Sequence, residues 1–365
     1  MLGVIGRSDK MRGIIDIATQ SVPVARPAEV AIVLRDKVML GIVHGLTDLF
    51  RITDDLSRVR VGVDAPVIRL SHFADTGAGG IMRTFDTVPD EAIADGSDGS
   101  DGSNGPSVII IPPCETAALG IETTRKWSNW LTARHAEGAV LGSICGGTFL
   151  LAQTGLLDGR RATTHLLCAP DLATMFPAVH VDFDALLTEE DDLITVGGVM
   201  AWTDLGLVVV RRLLGVVAMM QTARFMMIDP PGREQRFYKT FAPEMNHGDA
   251  AIMKSQQRLH AHGAAGSTVA DMALWSGLET RTFSRRFQGA TGLRPNQYHQ
   301  RLRIEKAREL LETTATPIGQ VAWESGYGDP ASFRSTFAKF TGLSPSDYRK
   351  RFGHTPHGTE RVVQA

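Results

Sequence analysis

Residues 269–298, VADMALWSGLETRTFSRRFQGATGLRPNQY, and residues 318–348, IGQVAWESGYGDPASFRSTFAKFTGLSPSDY, are two versions of one pattern. Ala273, Gly277, Phe283, Phe287, Gly292, Pro295 and Tyr298 return as Ala322, Gly326, Phe333, Phe337, Gly342, Pro345 and Tyr348. The first two pairs are 49 positions apart and the other five 50, so the second copy carries one added residue near Gly328 and Asp329. Such self-similarity at a fixed period marks a duplicated supersecondary unit. Each copy reads as helix, sharp turn, helix. Small Ala273 permits close helix contact, Gly277 supplies the positive φ of a tight turn, and Phe283 and Phe287 stack one helical turn apart.

With both aromatics turned inward, the second helix of the first copy presents Thr280, Arg281, Ser284, Arg285 and Gln288. In the second copy, Asp329 and Pro330 form an N-cap and first-turn pair, and the outward residues are Ser332, Arg334, Ser335 and Lys339. Exposed basic and hydroxyl side chains on the second helix are what a DNA-reading helix-turn-helix offers. The stretch Pro295 to Thr313 supplies one connecting helix. At about 1.5 Å per residue it is long enough to hold two reading helices roughly one DNA turn, ~34 Å, apart. The alternative for a single copy is an ordinary helical hairpin with a solvated face, and duplication argues against it.

Charge divides the chain at the same place. Residues 251–353 hold fifteen Lys and Arg against eight Asp and Glu, a net +7, whereas the remainder carries −9, so the overall −2 conceals two halves of opposite sign. The basic half attracts phosphate and the acidic half repels it.

Residues 251–353 resemble the tandem helix-turn-helix domain of AraC/XylS-type transcription regulators, including the closing segment from Gly342 to Arg349. The resemblance implies promoter DNA as partner, with both second helices in successive major-groove segments and base or phosphate contacts at the exposed positions named above.

At 365 residues the chain is long enough for two domains, and 43% hydrophobic with 21% charged residues is ordinary for a globular protein with a good core. No apolar run reaches the ~18 residues of a membrane span, and charges interrupt the N-terminal apolar residues. Cys114, Cys145 and Cys168 have neither disulfide parity nor metal spacing, which predicts a reducing cytoplasm, no metal and no cofactor. The expected organisation is an extension over 1–27, an α/β domain over 28–224 with a polar loop at 95–105, a linker over 225–250, the DNA-binding domain over 251–353 and a tail over 354–365. The runs 30–34, 59–63, 67–70, 108–111, 140–144 and 193–196 read as strands, and 45–56, 120–137, 147–155 and 201–225 as helices. Continuous apolar strands alternating with helices predict an α/β sandwich covered on both faces, followed by an all-α domain. Met219, Met220, Met226, Met227 and Phe225 read as packing, within the domain or at a subunit contact. The aromatic and basic residues of 233–248 read as a segment docking on the α/β domain.

A second motif, Leu141-Gly142-Ser143-Ile144-Cys145-Gly146-Gly147-Thr148, runs from a buried strand through a turn into a helix. It has the layout of a nucleophile elbow, where a helix N-terminus favours a thiolate. With Ile110-Ile111-Pro112-Pro113 and the stretch from Leu156 to His165, it resembles the flavodoxin-like, class I amidotransferase-like fold of the ThiJ/PfpI superfamily across residues 29–222. Joined to an AraC-type domain, it resembles the GlxA branch of transcription regulators. That branch implies a small effector, amine or amino-acid-like, a homodimer formed through the α/β domain, and RNA polymerase as a further partner.

Two departures argue against catalysis at the elbow. PfpI-type proteases carry His directly after the Cys, where this chain has Gly146, and the stretch Met39 to Ile42 lacks the carboxylate of other superfamily members. His165 remains as a base and His44 as a further pocket residue, with Asp171 or Asp182 as orienting groups. The reading is a catalytically silent ligand pocket lined by His44, Cys145, Gly146 and His165. The competing one is a cysteine-dependent hydrolase or amidase with a DNA-binding appendage.

Overall fold

The computed structural model describes residues 27–88, 105–114, 121–262 and 266–353. The expected N-terminal extension before Pro27, nearly all of the polar loop 95–105 and the tail 354–365 lie outside the described residues. The chain divides into two compact units, one ending at Gln235 and one beginning at Arg236.

The first unit runs β1 (Ala28–Leu34), α1 (Leu40–Val61), β2 (Ile68–Asp75), β3 (Ile81–Asp86), β4 (Val108–Ile111), α2 (Ile121–Ala136), β5 (Val140–Ile144) and α3 (Gly147–Gln153). It continues through β6 (Arg161–Ala162), α4 (Ala169–Met175), β7 (His180–Val181), β8 (Leu187–Glu189) and β9 (Leu193–Val196) to α5 (Trp202–Met226). Seven strands form one sheet in the order β3-β2-β1-β4-β5-β9-β8, parallel in its centre and closed by an antiparallel strand at each edge. β6 and β7 pair separately. Val30 and Ile32 belong to one apolar core with α1 and α5, while Ala31 and Val33 belong to the other, with residues of α2 and α3. Alternate side chains of one strand thus feed both faces, the arrangement that makes such strands apolar throughout. α1 and α5 approach closely because Gly206 admits Leu49 and Gly45 admits the Trp202 ring; a Cβ at Gly206 would stand 2.9 Å from Leu49 Cδ1. A buried Thr53–Thr222 hydroxyl bond of 3.0 Å joins the same two helices.

Four expected strands are present, close to their expected bounds: 30–34, 108–111, 140–144 and 193–196. The run 67–70 is the start of the longer β2. The run 59–63 is not a strand. It is the last turn of α1 and its cap, with Gly62 in the left-handed region at φ 71° donating to Arg58 O. The alternation of Val59, Arg60 and Val61 imitates a half-buried strand, but Val59 is exposed on a continuing helix. Met219 packs in the core as expected, whereas Met227 is 93% exposed beyond the end of α5.

The second unit contains α6 (Ala250–His262), α7 (Val269–Ser276), α8 (Thr280–Thr291), α9 (Pro295–Thr313), α10 (Ile318–Glu324), α11 (Pro330–Thr341) and α12 (Pro345–Phe352). It has two small cores, one around Phe283, Phe287 and Tyr298 and one around Phe333, Phe337 and Tyr348, with α9 contributing to both. The aromatics Phe237, Tyr238 and Phe241 lie in this unit. The Tyr238 ring is 5.4 Å from that of Phe352, and Phe241 stands edge-on to Tyr298 at 5.0 Å. The aromatic half of the segment thus finds apolar partners within the helical unit, while Arg233, Glu234 and Gln235 are held in the first unit.

Candidate functional site

The two halves of the helical unit repeat at the level of individual contacts. The rings of Phe283 and Phe287 are 5.2 Å apart at 52°, and those of Phe333 and Phe337 5.6 Å apart at 54°. Tyr298 meets Phe287 edge-on at 5.1 Å, as Tyr348 meets Phe337 at 5.2 Å. Thr291 and Thr341 each donate a hydroxyl to the carbonyl four residues back, Phe287 and Phe337 respectively. Four fully buried phenylalanines in these positions lock one face of α8 and one face of α11 inward.

The opposite faces follow. Thr280, Arg281, Arg285 and Gln288 on α8 are exposed, and Ser284 is half-buried with its hydroxyl donated to Thr280 O. On α11, Ser332, Arg334, Ser335 and Lys339 are exposed, and Pro330 occupies the first helical position. Among the described residues Arg281, Arg285, Arg334 and Lys339 have no hydrogen-bond or ion-pair partner, so their donors stay available. Arg286 is different. Its guanidinium bonds Asp249 at 2.7 and 2.9 Å, just before α6, and holds that carboxyl below its usual range. It anchors α8 rather than reaching outward.

The entries to α8 and α11 are built differently. The turn into α8 passes through Gly277 at φ 71°, and its N-cap, Glu279, makes no side-chain cap bond. The turn into α11 passes through Gly326 at φ 83°, and Asp329 accepts from Ser332 N at 2.7 Å. An acidic N-cap satisfies two otherwise unpaired amides of the first turn.

In the α/β unit, Cys145 sits between β5 and α3 at φ 52°, a left-handed conformation uncommon for a residue with a side chain. Its amide donates to Val196 O at 2.8 Å, which ties the turn to β9. Gly147 is required where it stands: a Cβ there would lie 2.3 Å from Ile111 O. Gly146, at φ −62°, has open space where a Cβ would point. The strained turn expected of an elbow is present.

Its chemistry differs from the expectation. Burial pushes the Cys145 thiol up to about 11, outweighing the amide of Gly146, which acts the other way. An activated thiolate needs the opposite balance. Iodoacetamide labelling of Cys145 in the folded chain, followed by peptide mass spectrometry, is expected to stay slow at neutral pH and to rise only toward pH ~11. A labelling midpoint at or below the ordinary ~8.5 would contradict this.

The four residues expected to line a pocket do not form one hydrogen-bonded cluster. Among the described residues Cys145 makes no side-chain hydrogen bond to His165. The His165 Nδ1 instead accepts from Leu167 N at 3.2 Å, and its carbonyl caps the approach to α4. His44 is exposed on α1, and its neighbour is His72, which burial pushes down to about 4. Of the orienting groups, Asp182 is committed to Arg161 at 2.8 Å and to the amides of Asp184 and Ala185. Asp171 lies in the first turn of α4 with no hydrogen bond to His165.

The residues that do meet at the elbow are hydroxyls and one amide. Thr164 Oγ1 donates to Cys145 O at 2.7 Å, and Ser143 and Thr148 pair their hydroxyls at 2.9 Å. Thr163 N donates to Thr195 Oγ1 at 2.6 Å, and Thr163 Oγ1 to Ala185 O. Gln235, 2% exposed, donates through Nε2 to Thr163 Oγ1 at 3.0 Å and to Thr164 O at 3.2 Å. Thr163 and Thr164 stand directly before His165, and the sequence drew attention to the imidazole instead. Gln235 is some seventy positions downstream and carries no local signal.

Family comparison divides the chain in the same way. Residues 76–212 match the DJ-1/PfpI family, and residues 272–351 match a helix-turn-helix domain. The HTH-type transcriptional regulator GbdR of Pseudomonas aeruginosa is 24% identical over 246 residues, covering 67% of each chain. The HTH-type transcriptional regulator GlxA of Rhizobium meliloti is 26% identical over 219 residues, 59% of this chain and 67% of that protein.

Proposed function

We propose that this chain, a DJ-1/PfpI-family domain joined to an AraC-type helix-turn-helix domain, is a sequence-specific transcription regulator whose α/β domain senses a small metabolite. The observation that carries the reading is the pair of helices α8 and α11, each locked by two buried phenylalanines and each offering outward cations that have no partner among the described residues. The names of the relatives, both HTH-type transcriptional regulators, support it. The α/β domain acts as a catalytically silent sensor in the cytoplasm, and the protein works as a homodimer. Support for silence lies in the raised Cys145 thiol and in a His165 ring whose Nδ1 accepts from the Leu167 amide. A hydrolase would need a base within hydrogen-bond reach of its nucleophile.

Promoter DNA is the partner, met by a net charge of +7 over residues 251–353. Among the described residues no helix is long and apolar enough to cross a membrane. The full chain is expected to select one duplex family from a randomised pool and to bind it at least ~10³-fold tighter than unrelated duplex at the same salt. Affinity should fall steeply as salt rises, since each neutralised phosphate releases counterions. Equal affinity for selected and unrelated duplexes would refute the reading.

A further inference from the structure

The hydrogen bonds at the elbow end on the last residue of the α/β unit. Thr164 Oγ1 holds the Cys145 carbonyl, and Gln235 Nε2 holds the Thr164 carbonyl and the Thr163 hydroxyl. Gln235 Oε1 is buried with no hydrogen-bond partner among the described residues, packed where a Cβ on Gly197 would lie 2.6 Å away. A buried amide satisfied on one side only is held less firmly than its burial suggests. Arg233, two residues earlier, pairs with buried Asp204 at the start of α5.

The residues that follow Gln235 covalently are tied to the second reading helix. Arg236 and Phe237 lie against Gly342, the left-handed C-cap of α11; a Cβ there would stand 2.5 Å from Arg236 Nε and 2.8 Å from Phe237 Cε1. Arg351 of α12 covers the Phe237 ring at 5.2 Å. Gln235, bonded beside the elbow, and Arg236, packed on the end of α11, are therefore consecutive residues of the chain.

We propose that Gln235 is a latch that couples occupancy of the elbow to the second reading helix. A molecule seated beside Cys145 displaces the Thr164 hydroxyl from the Cys145 carbonyl and frees Gln235. The packing of Arg236 and Phe237 on Gly342 then changes, and with it the setting of α11 on DNA. The inference rests on the reading of the elbow as the sensor pocket. Such a latch transmits only the difference in affinity between its held and released states.

Gly146 offers a built-in probe, because a side chain added there meets open space beside Cys145. The affinity of the full chain for its selected duplex is measured for the parent, Gly146→Phe, Gln235→Glu and the double variant. Gln235→Glu keeps the size but removes both donors, and Thr164→Val cuts the same path one bond earlier without touching residue 235. Gly146→Phe is expected to change Kd by about five-fold or more, within the usual range of allosteric coupling. The change should shrink to within about two-fold in the Gln235→Glu and Thr164→Val backgrounds. The same fold-change in all backgrounds would overturn the latch and leave the elbow as sensor. No change in any background, with amide exchange over residues 233–241 also unaltered, would overturn both.

Discussion

Phe337→Ala is expected to destabilise the helical unit by about 3–5 kcal/mol, the cost of deleting a fully buried aromatic ring from a packed core. The ring is completely buried between Phe333 at 5.6 Å and Tyr348 at 5.2 Å, in a core of nine buried residues that has little capacity to collapse around a cavity. A loss of this size is a large share of the ~5–15 kcal/mol that holds an ordinary domain together. Chemical denaturation followed by circular dichroism should show the helical transition moving to lower denaturant, with the transition of the α/β unit unchanged. Ser335→Ala, one helix position class away on the exposed face, should leave both transitions within about 0.5 kcal/mol. A Phe337→Ala chain that melts like the parent would mean that α11 is not fixed by this core.

Arg281→Ala and Arg334→Ala are each expected to weaken specific DNA binding by about 1–3 kcal/mol, the usual worth of a bidentate base contact. Neither guanidinium has a protein partner among the described residues, so neither variant removes an internal ion pair. Arg286→Ala provides the contrast. Its loss leaves Asp249 unpaired and acts on the placement of α8, so its cost should register in stability as well as in affinity. Affinity measured at two salt concentrations separates the alternatives for Arg281 and Arg334. A base contact changes discrimination between sequences, whereas a phosphate contact weakens all duplexes alike and lowers the salt slope by about one unit.

The duplicated unit was legible because its chemistry is local. Phe283 and Phe287 are one helical turn apart, Gly277 is where the chain must turn, and the same spacing recurs in Phe333, Phe337 and Gly326. The central strands were legible because burial on both faces leaves uninterrupted apolar runs such as Val108 to Ile111. β3 was not, since it is an edge strand whose Arg83 and Asp86 join an ion network with Glu29 and Arg69 and so break the apolar pattern. Val59 to Val63 misled because valines alternating with Arg60 and Gly62 satisfy the strand period, although they form the last turn of α1 and its cap. At the elbow, the turn was legible from Cys145 and its glycines. Its surroundings were not: Thr164 meets Cys145 across 19 positions and Gln235 meets Thr164 across 71, contacts set by the fold rather than by neighbours in sequence. Likewise the thiol is raised by burial, which no motif records.

The unequal reading faces give the most direct test. α8 presents Arg281 and Arg285 and α11 presents Ser332, Arg334, Ser335 and Lys339, so the two should read different halves of an asymmetric site. Kd is measured for the parent, Arg281→Ala and Arg334→Ala on the selected duplex and on duplexes mutated in one half at a time. Each Arg→Ala variant should become insensitive to base changes in one half only, and the two variants should point to opposite halves. Loss of affinity by the same factor on every duplex for both variants, or sensitivity of both to the same half, would contradict two independent readers on one chain.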